Sequence, residues 1–462
     1  MSDSAGRRED RYHGEDEGLF RQAFRRDRDR LTYSREFRRL KGVTQVARAG
    51  ESYLYHDRLS HSLKVAQVGE SLARIFLKRI QKGNSNIDSP DQVALDPYVV
   101  EAASYAHDLG HPPFGHAIED ELDTILTKRT EDWARTIGYE GNAQAFRIVT
   151  NLASHDQPSG GLNLTRATLN AMQKYPRSRA ETDHKWGYYP AESDVFDFAR
   201  AETADNRNPP QTLEAQIMDY ADDLTYAVHD VDDFYRAGLI PLDQLFREAT
   251  DRVSSRDELD AFEEYLDDES DIDPNQIDIA GLFGNLSDGF HGFDEQLFTP
   301  FNGTDSERVA LNSYDSALIS WYMEAGRPQA QHVRLEESKC GAKVNLEVDE
   351  GYETQIEVLK LLTEYYVITN PSLMAQQKGL RRIARELFDS LHDEAGPDSM
   401  PRSAVPSPYR ERLKAAHANQ RPPSSERIIA DMIAAMTEQQ AVALHKRMIG
   451  DTPGPLVDEI LR

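Results

Sequence analysis

One cysteine, Cys340, in 462 residues leaves no internal disulfide and no Cys-rich zinc site. No stretch approaches the roughly 18 consecutive apolar residues of a membrane-spanning helix. The N-terminus is highly charged and lacks the apolar core of a secretory signal. These absences point to a cytoplasmic protein with no membrane partner. Positive charge is also in short supply: 53 Lys and Arg stand against 80 Asp and Glu, a net charge of −27. A surface of that sign repels nucleic-acid backbones and anionic membranes, which argues against a nucleic-acid partner. A local basic site remains compatible with the count.

What is present supports a large helical protein. The 39% hydrophobic content is enough to bury a sizeable core. Length alone admits two or three domains, or one large helical domain with appended segments. Residues 1–19 are polar and read as a disordered tail. Leu59, Leu63, Val68, Leu72 and Ile75 recur at helical spacing, which predicts a helix over 56–80. Asp96-Pro97 is a good N-cap and first-turn pair for a helix over 97–109, and Pro112 and Pro113 break the pattern after it. Further helices are expected at 117–128, 141–153, 165–173, 211–236, 351–368, 371–393 and 425–448. Residues 248–275 and 285–306 read as acidic and peripheral. Short strands fit Gln331–Arg334 and Lys343–Val348. The expected fold is mainly α, with one small β hairpin.

Four residues stand out as metal-ligand types: His61, the adjacent pair His107-Asp108, and Asp222. Neighbours on a helix point about 100° apart, so His107 and Asp108 can share an ion only near a helix end. Gly110 and the two prolines supply that end. His107, His111 and His116 fall within ten residues of a Gly/Pro-shaped turn, which suits a site better than a core. On the 211–236 helix, with Asp222 at zero, Tyr226 and Asp230 lie at about 40° and about 80°. Leu213, Ile217, Tyr220, Leu224, Val228 and Val231 cluster at about 160–240°. Asp222, Tyr226 and Asp230 therefore share a face opposite the apolar stripe. Asp219, Asp223 and Asp233 sit there too, so periodicity leaves open a solvated face or a ligand-facing one.

The ordered set of motifs resembles the dGTPase-like deoxynucleoside triphosphate triphosphohydrolases of the HD-domain superfamily. The resemblance runs along most of the chain. It is carried by Asp27-Arg-Asp-Arg-Leu, Phe37-Arg-Arg-Leu, Thr44-Gln-Val, Arg58-Leu-Ser-His61-Ser-Leu-Lys-Val65 and His107-Asp-Leu-Gly-His-Pro-Pro-Phe-Gly-His116. Asn142-Ala-Gln-Ala-Phe-Arg-Ile, Asn163-Leu-Thr, Lys174-Tyr-Pro, Asp222-Asp-Leu-Thr-Tyr-Ala-Val-His-Asp230 and Ile429-Ala-Asp-Met-Ile-Ala-Ala-Met-Thr follow in order. The resemblance implies an HD-domain helical bundle with a catalytic core over 20–240. An acidic, irregular peripheral segment over 241–350 and a helical part over 351–462 packing on the core complete the expected organisation.

The same resemblance implies roles. His61, His107, Asp108 and Asp222 would hold a divalent ion, one of Mn, Mg, Fe, Co or Ni. His116 and Glu119 would act as general acid or base. They stand three apart, so at a helix start they can face each other. Arg58 would contact phosphate, and Lys174, Tyr175 and Lys185 would bind the triphosphate tail. Tyr226 would pack on the sugar, Asp230 would accept from the 3′-hydroxyl, and Gln45 would approach the base. The expected partners are a dNTP substrate, a nucleotide activator and further copies of the chain in a dimer or hexamer. Two positions depart from the pattern. Gly141 stands where some relatives carry a histidine, and Asp223 where some carry a phosphate-binding lysine. The competing readings are another HD phosphohydrolase (a nucleotidase or phosphodiesterase), a non-catalytic nucleotide-binding regulator, and a nuclease.

Overall fold

The computed structural model describes residues 7–14, 22–46, 56–84, 87, 93–129, 138–155, 160–182, 184–201, 211–270, 272, 277–288, 296–325, 332–337, 344–397, 404–419 and 424–453. Cys340 lies outside them. The fold is mainly α. Helices α1 (Ala23–Tyr33) and α2 (Arg35–Arg39) lead into α3 (Arg58–Gln81), α4 (Pro97–Ala106), α5 (His116–Arg129), α6 (Gly141–Arg147) and α7 (Leu213–Arg236). Later come α8 (Asp305–Tyr322), a two-stranded sheet, α9 (Glu350–Thr363), α10 (Pro371–Asp393), α11 (Ser425–Ala434) and α12 (Glu438–Met448). In the sheet, β1 (Val333–Glu337) runs antiparallel to β2 (Val344–Val348), with Val333 opposite Val348. No helix among the described residues is long and apolar enough to cross a membrane.

Local chemistry sets the ends of the helices that matter here. The Asp57 side chain accepts from the Ser60 N–H at 2.8 Å and caps α3. Asp96 caps α4 in the same way, accepting from the Tyr98 N–H at 2.8 Å, with Pro97 in the first turn. α4 stops at Ala106, three residues before the predicted end, and His107 is its C-cap. The His107-Asp108 pair therefore sits on a turn, where both side chains can reach one point. Gly110 makes that turn fit: a Cβ there would lie 1.9 Å from the Gly141 carbonyl oxygen at the start of α6.

α3 packs against α4 and α7. Val65, Val68, Leu72 and Phe76 of α3 join Leu213, Ile217, Tyr220, Leu224, Val228 and Val231 of α7 in the largest apolar cluster. The predicted apolar stripe of α7 is thus buried. Its polar face is divided: Asp230 and Asp233 are buried, whereas the side chains of Asp219, Asp222 and Asp223 keep 25%, 20% and 44% exposure.

Two expectations need correction. The segment 241–350 is neither irregular nor merely peripheral. Leu242–Ala249, Asp257–Glu269, Ile279–Asp288 and α8 are helices. Leu259, Phe262, Leu266, Phe283 and Leu311 lie in the same cluster as α3 and α7. On Asp257–Glu269 the buried residues are Leu259, Phe262 and Leu266 and the acidic ones face outward, whereas Asp243 and Glu248 of the preceding helix are buried. Fully burying a Leu or Phe contributes about 1.5–3 kcal/mol each. Residues 7–14 do not belong to a disordered tail either. Arg11 donates to the buried Asp27 carboxylate at 2.7 Å and forms a β-bridge to Thr165. A paired, buried charge holds this polar stretch in place.

Candidate metal centre and active site

Four parts of the fold meet at one place: the start of α3, the turn after α4, the start of α5 and the middle of α7. His61, His107 and Asp108 are buried, and one ligand atom from each lies within 4.8 Å of the others. Asp222 closes the group from α7. Its Oδ1 is 3.0 Å from His61 Nε2 and 3.5 Å from His107 Nε2. His107 Nδ1 donates to the Ser104 carbonyl at 2.6 Å. A carbonyl only accepts, so Nδ1 carries a proton, and Nε2 is the ring atom that could ligate an ion by exchanging its own proton for it. His107 Nε2 and Asp108 Oδ2 are buried without a hydrogen-bond partner among the described residues. Burying such atoms unpaired is costly, and a divalent cation bound between them would satisfy both. The residues fit a metal.

The charges around this cup are compensated. Burial disfavours the Asp108 carboxylate, but Arg58, His107 and His111 outweigh it and hold its pKa well below the usual value. Arg58 Nη1 donates to Asp108 Oδ1 at 2.9 Å. Burial likewise opposes ionised Asp222, and Lys174 with His107 and His61 outweighs it. Lys174 Nζ is 3.1 Å from Asp222 Oδ2 and 2.5 Å from Asp219 Oδ1. Burial opposes its charge too, yet Asp222 and Asp219 hold its pKa well above the ordinary lysine value. Lys174 is therefore already paired with a metal-side carboxylate and is not a free cation.

A second group lies beside the first. His116 Nδ1 and Glu119 Oε2 are 2.8 Å apart, and His116 is largely open to solvent. Glu119 is buried. Burial pushes its pKa up, but His116, His111 and the Gly141 N–H together hold it low. The Gly141 N–H donates to Glu119 Oε1 at 2.6 Å. A Cβ at 141 would approach Glu119 Oε1 to 3.2 Å and His111 Cε1 to 3.3 Å. His111 spans the two groups: its Nδ1 is 3.0 Å from Asp108 Oδ1 and its Nε2 3.8 Å from Glu119 Oε2. Burial and then Arg58 pull its pKa down to about 4, so it is neutral at pH 7.

The remaining predicted residues lie around this centre. Asp230 is buried, its Oδ2 has no partner among the described residues, and burial with Asp233 pushes its pKa well up. Tyr226 is half-buried on the same helix. Burial, followed by Asp230, raises its phenol pKa. Gln45 has a buried Oε1 without a partner among the described residues. Tyr175 is half-buried next to Lys174, and Lys185 is exposed with its charge acting on both Tyr175 and Glu140.

Sequence reasoning gave His111 no role, although it quoted the motif that holds it. It also missed Lys360 on α9, whose Nζ is 3.5 Å from Asp223 Oδ1. A cation from a distant helix thus stands beside the aspartate found where some relatives carry lysine. A cavity of about 650 Å³ opens between α7, β2 and α9, lined in part by Asp219, Asp223, Glu347, Glu353 and Glu357. Its carboxylates disfavour a polyphosphate ligand there.

Known proteins are similar to this chain over most of its length. The HD domain family matches residues 58–227, which run from Arg58 through all four candidate ligands. The Phosphohydrolase-associated domain family matches residues 346–447. A deoxyguanosinetriphosphate triphosphohydrolase-like protein of Streptomyces coelicolor is 32% identical over 445 residues, covering 93% of each chain. Proteins of the same description from Corynebacterium efficiens (31% identical, 93% of this chain and 92% of the relative) and Shewanella woodyi (27% identical, 95% and 94%) also match. The chain belongs to the dGTPase-like triphosphohydrolase family of the HD-domain superfamily and is a phosphohydrolase.

Proposed function

We propose that the protein hydrolyses deoxynucleoside triphosphates, dGTP among them, to the deoxynucleoside and intact inorganic triphosphate. The observation that carries this reading is the placement, on one helix, of the metal-side Asp222 and the buried Asp230, whose Oδ2 has no partner among the described residues. Tyr226 lies between them in sequence. In this reading its ring packs on the sugar, with no room for a ribose 2′-hydroxyl, and Asp230 takes the 3′-hydroxyl. Gln45 meets the base edge.

His61, His107, Asp108 and Asp222 would hold the ion, one of Mn, Mg, Fe, Co or Ni according to availability. When bound, such an ion polarises the phosphate and lowers the pKa of a water. Arg58 offers its Nη2, which has no partner among the described residues, to charge growing on the phosphoryl oxygens. Lys174, Tyr175 and Lys185 flank the triphosphate tail, with Lys174 shared between substrate and Asp222. His116 is the proton donor. Glu119, held ionised, engages its Nδ1 and orients the ring. The water oxygen bonds to the α-phosphorus and the bond from that phosphorus to O5′ breaks. The His116 proton goes to O5′, and the proton lost by water goes to solvent.

A homo-oligomer, dimer or hexamer, with a nucleotide activator bound outside the site belongs to the same reading. Sedimentation with and without nucleotide tests it. The reaction itself is tested by supplying each of the four dNTPs and GTP with Mn²⁺ or Mg²⁺. Triphosphate from dNTPs and none from GTP is expected. Inorganic phosphate or pyrophosphate as the product would contradict the reading and favour a nucleotidase or phosphodiesterase.

A further inference from the structure

The last helix pair reaches this site from outside the residues matched by the HD domain. Glu438, the first residue of α12, is only 3% exposed. Its Oε1 accepts from the Thr44 N–H at 2.7 Å and from the Phe114 N–H at 3.3 Å. Each of these amides leads to a different half of the site. The Thr44 carbonyl accepts from Arg58 Nε at 2.9 Å, and Arg58 Nη1 donates to Asp108 Oδ1 at 2.9 Å. Phe114 and Gly115 immediately precede His116, and both have left-handed backbone, with φ of 68° and 61°. A residue with a Cβ resists that conformation, so the turn at Phe114 must be held by its surroundings. The Phe114 side chain is packed in the cluster formed with Ile433 and Met436 at the end of the chain. Arg39 adds a second tie, donating to the carbonyls of Leu109 at 2.9 Å, His111 at 2.7 Å and Met436 at 3.1 Å.

We propose that Glu438 is a positioning residue of the active site, fixing the Thr44 strap behind Arg58 and the Phe114 turn that presents His116. It links the phosphohydrolase-associated segment to catalysis through two backbone amides and touches neither substrate nor metal. The Ile429–Thr437 motif then marks the helix end and turn that deliver this carboxylate. The proposal rests on the reading of Arg58 and His116 as catalytic groups.

The test uses the full-length protein carrying E438A, E438D and E438Q, with dNTP turnover in Mn²⁺, thermal unfolding and amide hydrogen exchange read together. Displacing a catalytic group by about 1 Å costs about 100-fold in rate. E438A and E438D are expected to lower kcat by about 10- to 100-fold with KM little changed. Exchange should quicken at Thr44 and Phe114. E438Q keeps a carbonyl oxygen at the Oε1 position and is expected to restore most of the rate. If E438A fails to fold, E438D carries the measurement, since it keeps the charge and only retracts it by one methylene. A folded E438D with wild-type kcat, or with Thr44 and Phe114 exchanging as slowly as in the wild type, overturns the proposal. A wild-type protein that releases no triphosphate from any dNTP sinks the functional reading instead, and exchange at the two amides alone then decides the role of Glu438.

Discussion

The two halves of the active centre are built differently. On the metal side, His61, His107, Asp108 and Asp222 come from α3, the turn after α4 and α7. All lie buried or nearly so, and both carboxylates are held ionised against burial by Arg58 or Lys174. On the proton side, His116 is open to solvent and tied by one contact to Glu119. The first half is an electrostatic cup in which Arg58 and Lys174 offset the buried carboxylates and leave His107 Nε2 and Asp108 Oδ2 without partners among the described residues, as atoms that could take an ion. In the proposed mechanism the second half carries the exchangeable proton on His116, with Glu119 behind it. Binding and proton transfer should therefore fail separately.

The largest expected effect is on the metal side. Asp222→Ala removes a ligand and leaves Lys174 without one of its two partners, so both metal binding and turnover should be abolished. Calorimetric titration with Mn²⁺ beside a triphosphate assay measures the two together. Retained wild-type turnover would break the assignment. Next comes the proton side. His116→Ala should lower kcat by about 10²–10⁴-fold, the usual worth of a positioned general acid, while metal affinity stays at the wild-type value. A loss of metal binding in that variant would merge the two halves.

Metal should also act on stability. At 100 times its Kd, a bound ion stabilises the fold by about 2.7 kcal/mol, so a chelator should lower Tm and added Mn²⁺ restore it. His116→Ala should keep that shift and Asp222→Ala lose it.

The smallest effect concerns Glu119, whose folded pKa is depressed below its ordinary 4.5. Its ion pair contributes stability that is fully present above pH 4.5 and lost as the pH falls below it. Glu119→Gln lacks that contribution. The stability gap between wild type and variant should therefore be on the order of 1 kcal/mol at pH 7 and shrink in acid, as urea unfolding at several pH values would show. A gap independent of pH would mean that Glu119 is not held ionised by His116.

Much of this was legible in the sequence, for identifiable reasons. α3, α10 and the strand pair follow from apolar periodicity with a cap or proline at the boundary, all of which are local signals. Asp57 and Asp96 cap, and Pro371 opens α10. The candidate site residues could be named from the sequence because the family motifs are short and ordered. What was not legible depends on partners distant in sequence. The acidic helices of 242–322 show an apolar stripe, but composition hides it, and nothing local says which core covers it. Arg11 meets Asp27 and Thr165, Lys360 meets Asp223, and Glu438 meets Thr44 across nearly 400 residues. Periodicity states that a face is buried and never names what lies opposite. The same limit applied to α7, whose acidic face is buried at Asp230 and Asp233 and partly open at Asp219 and Asp223.

The central claim is that water attacks the α-phosphorus at this metal-dependent centre. Turnover of dGTP in ¹⁸O-labelled water with Mn²⁺, followed by mass spectrometry of both products, tests it most directly. The account predicts one ¹⁸O in an intact triphosphate and none in deoxyguanosine. Label in inorganic phosphate or pyrophosphate, or in the nucleoside, would contradict it.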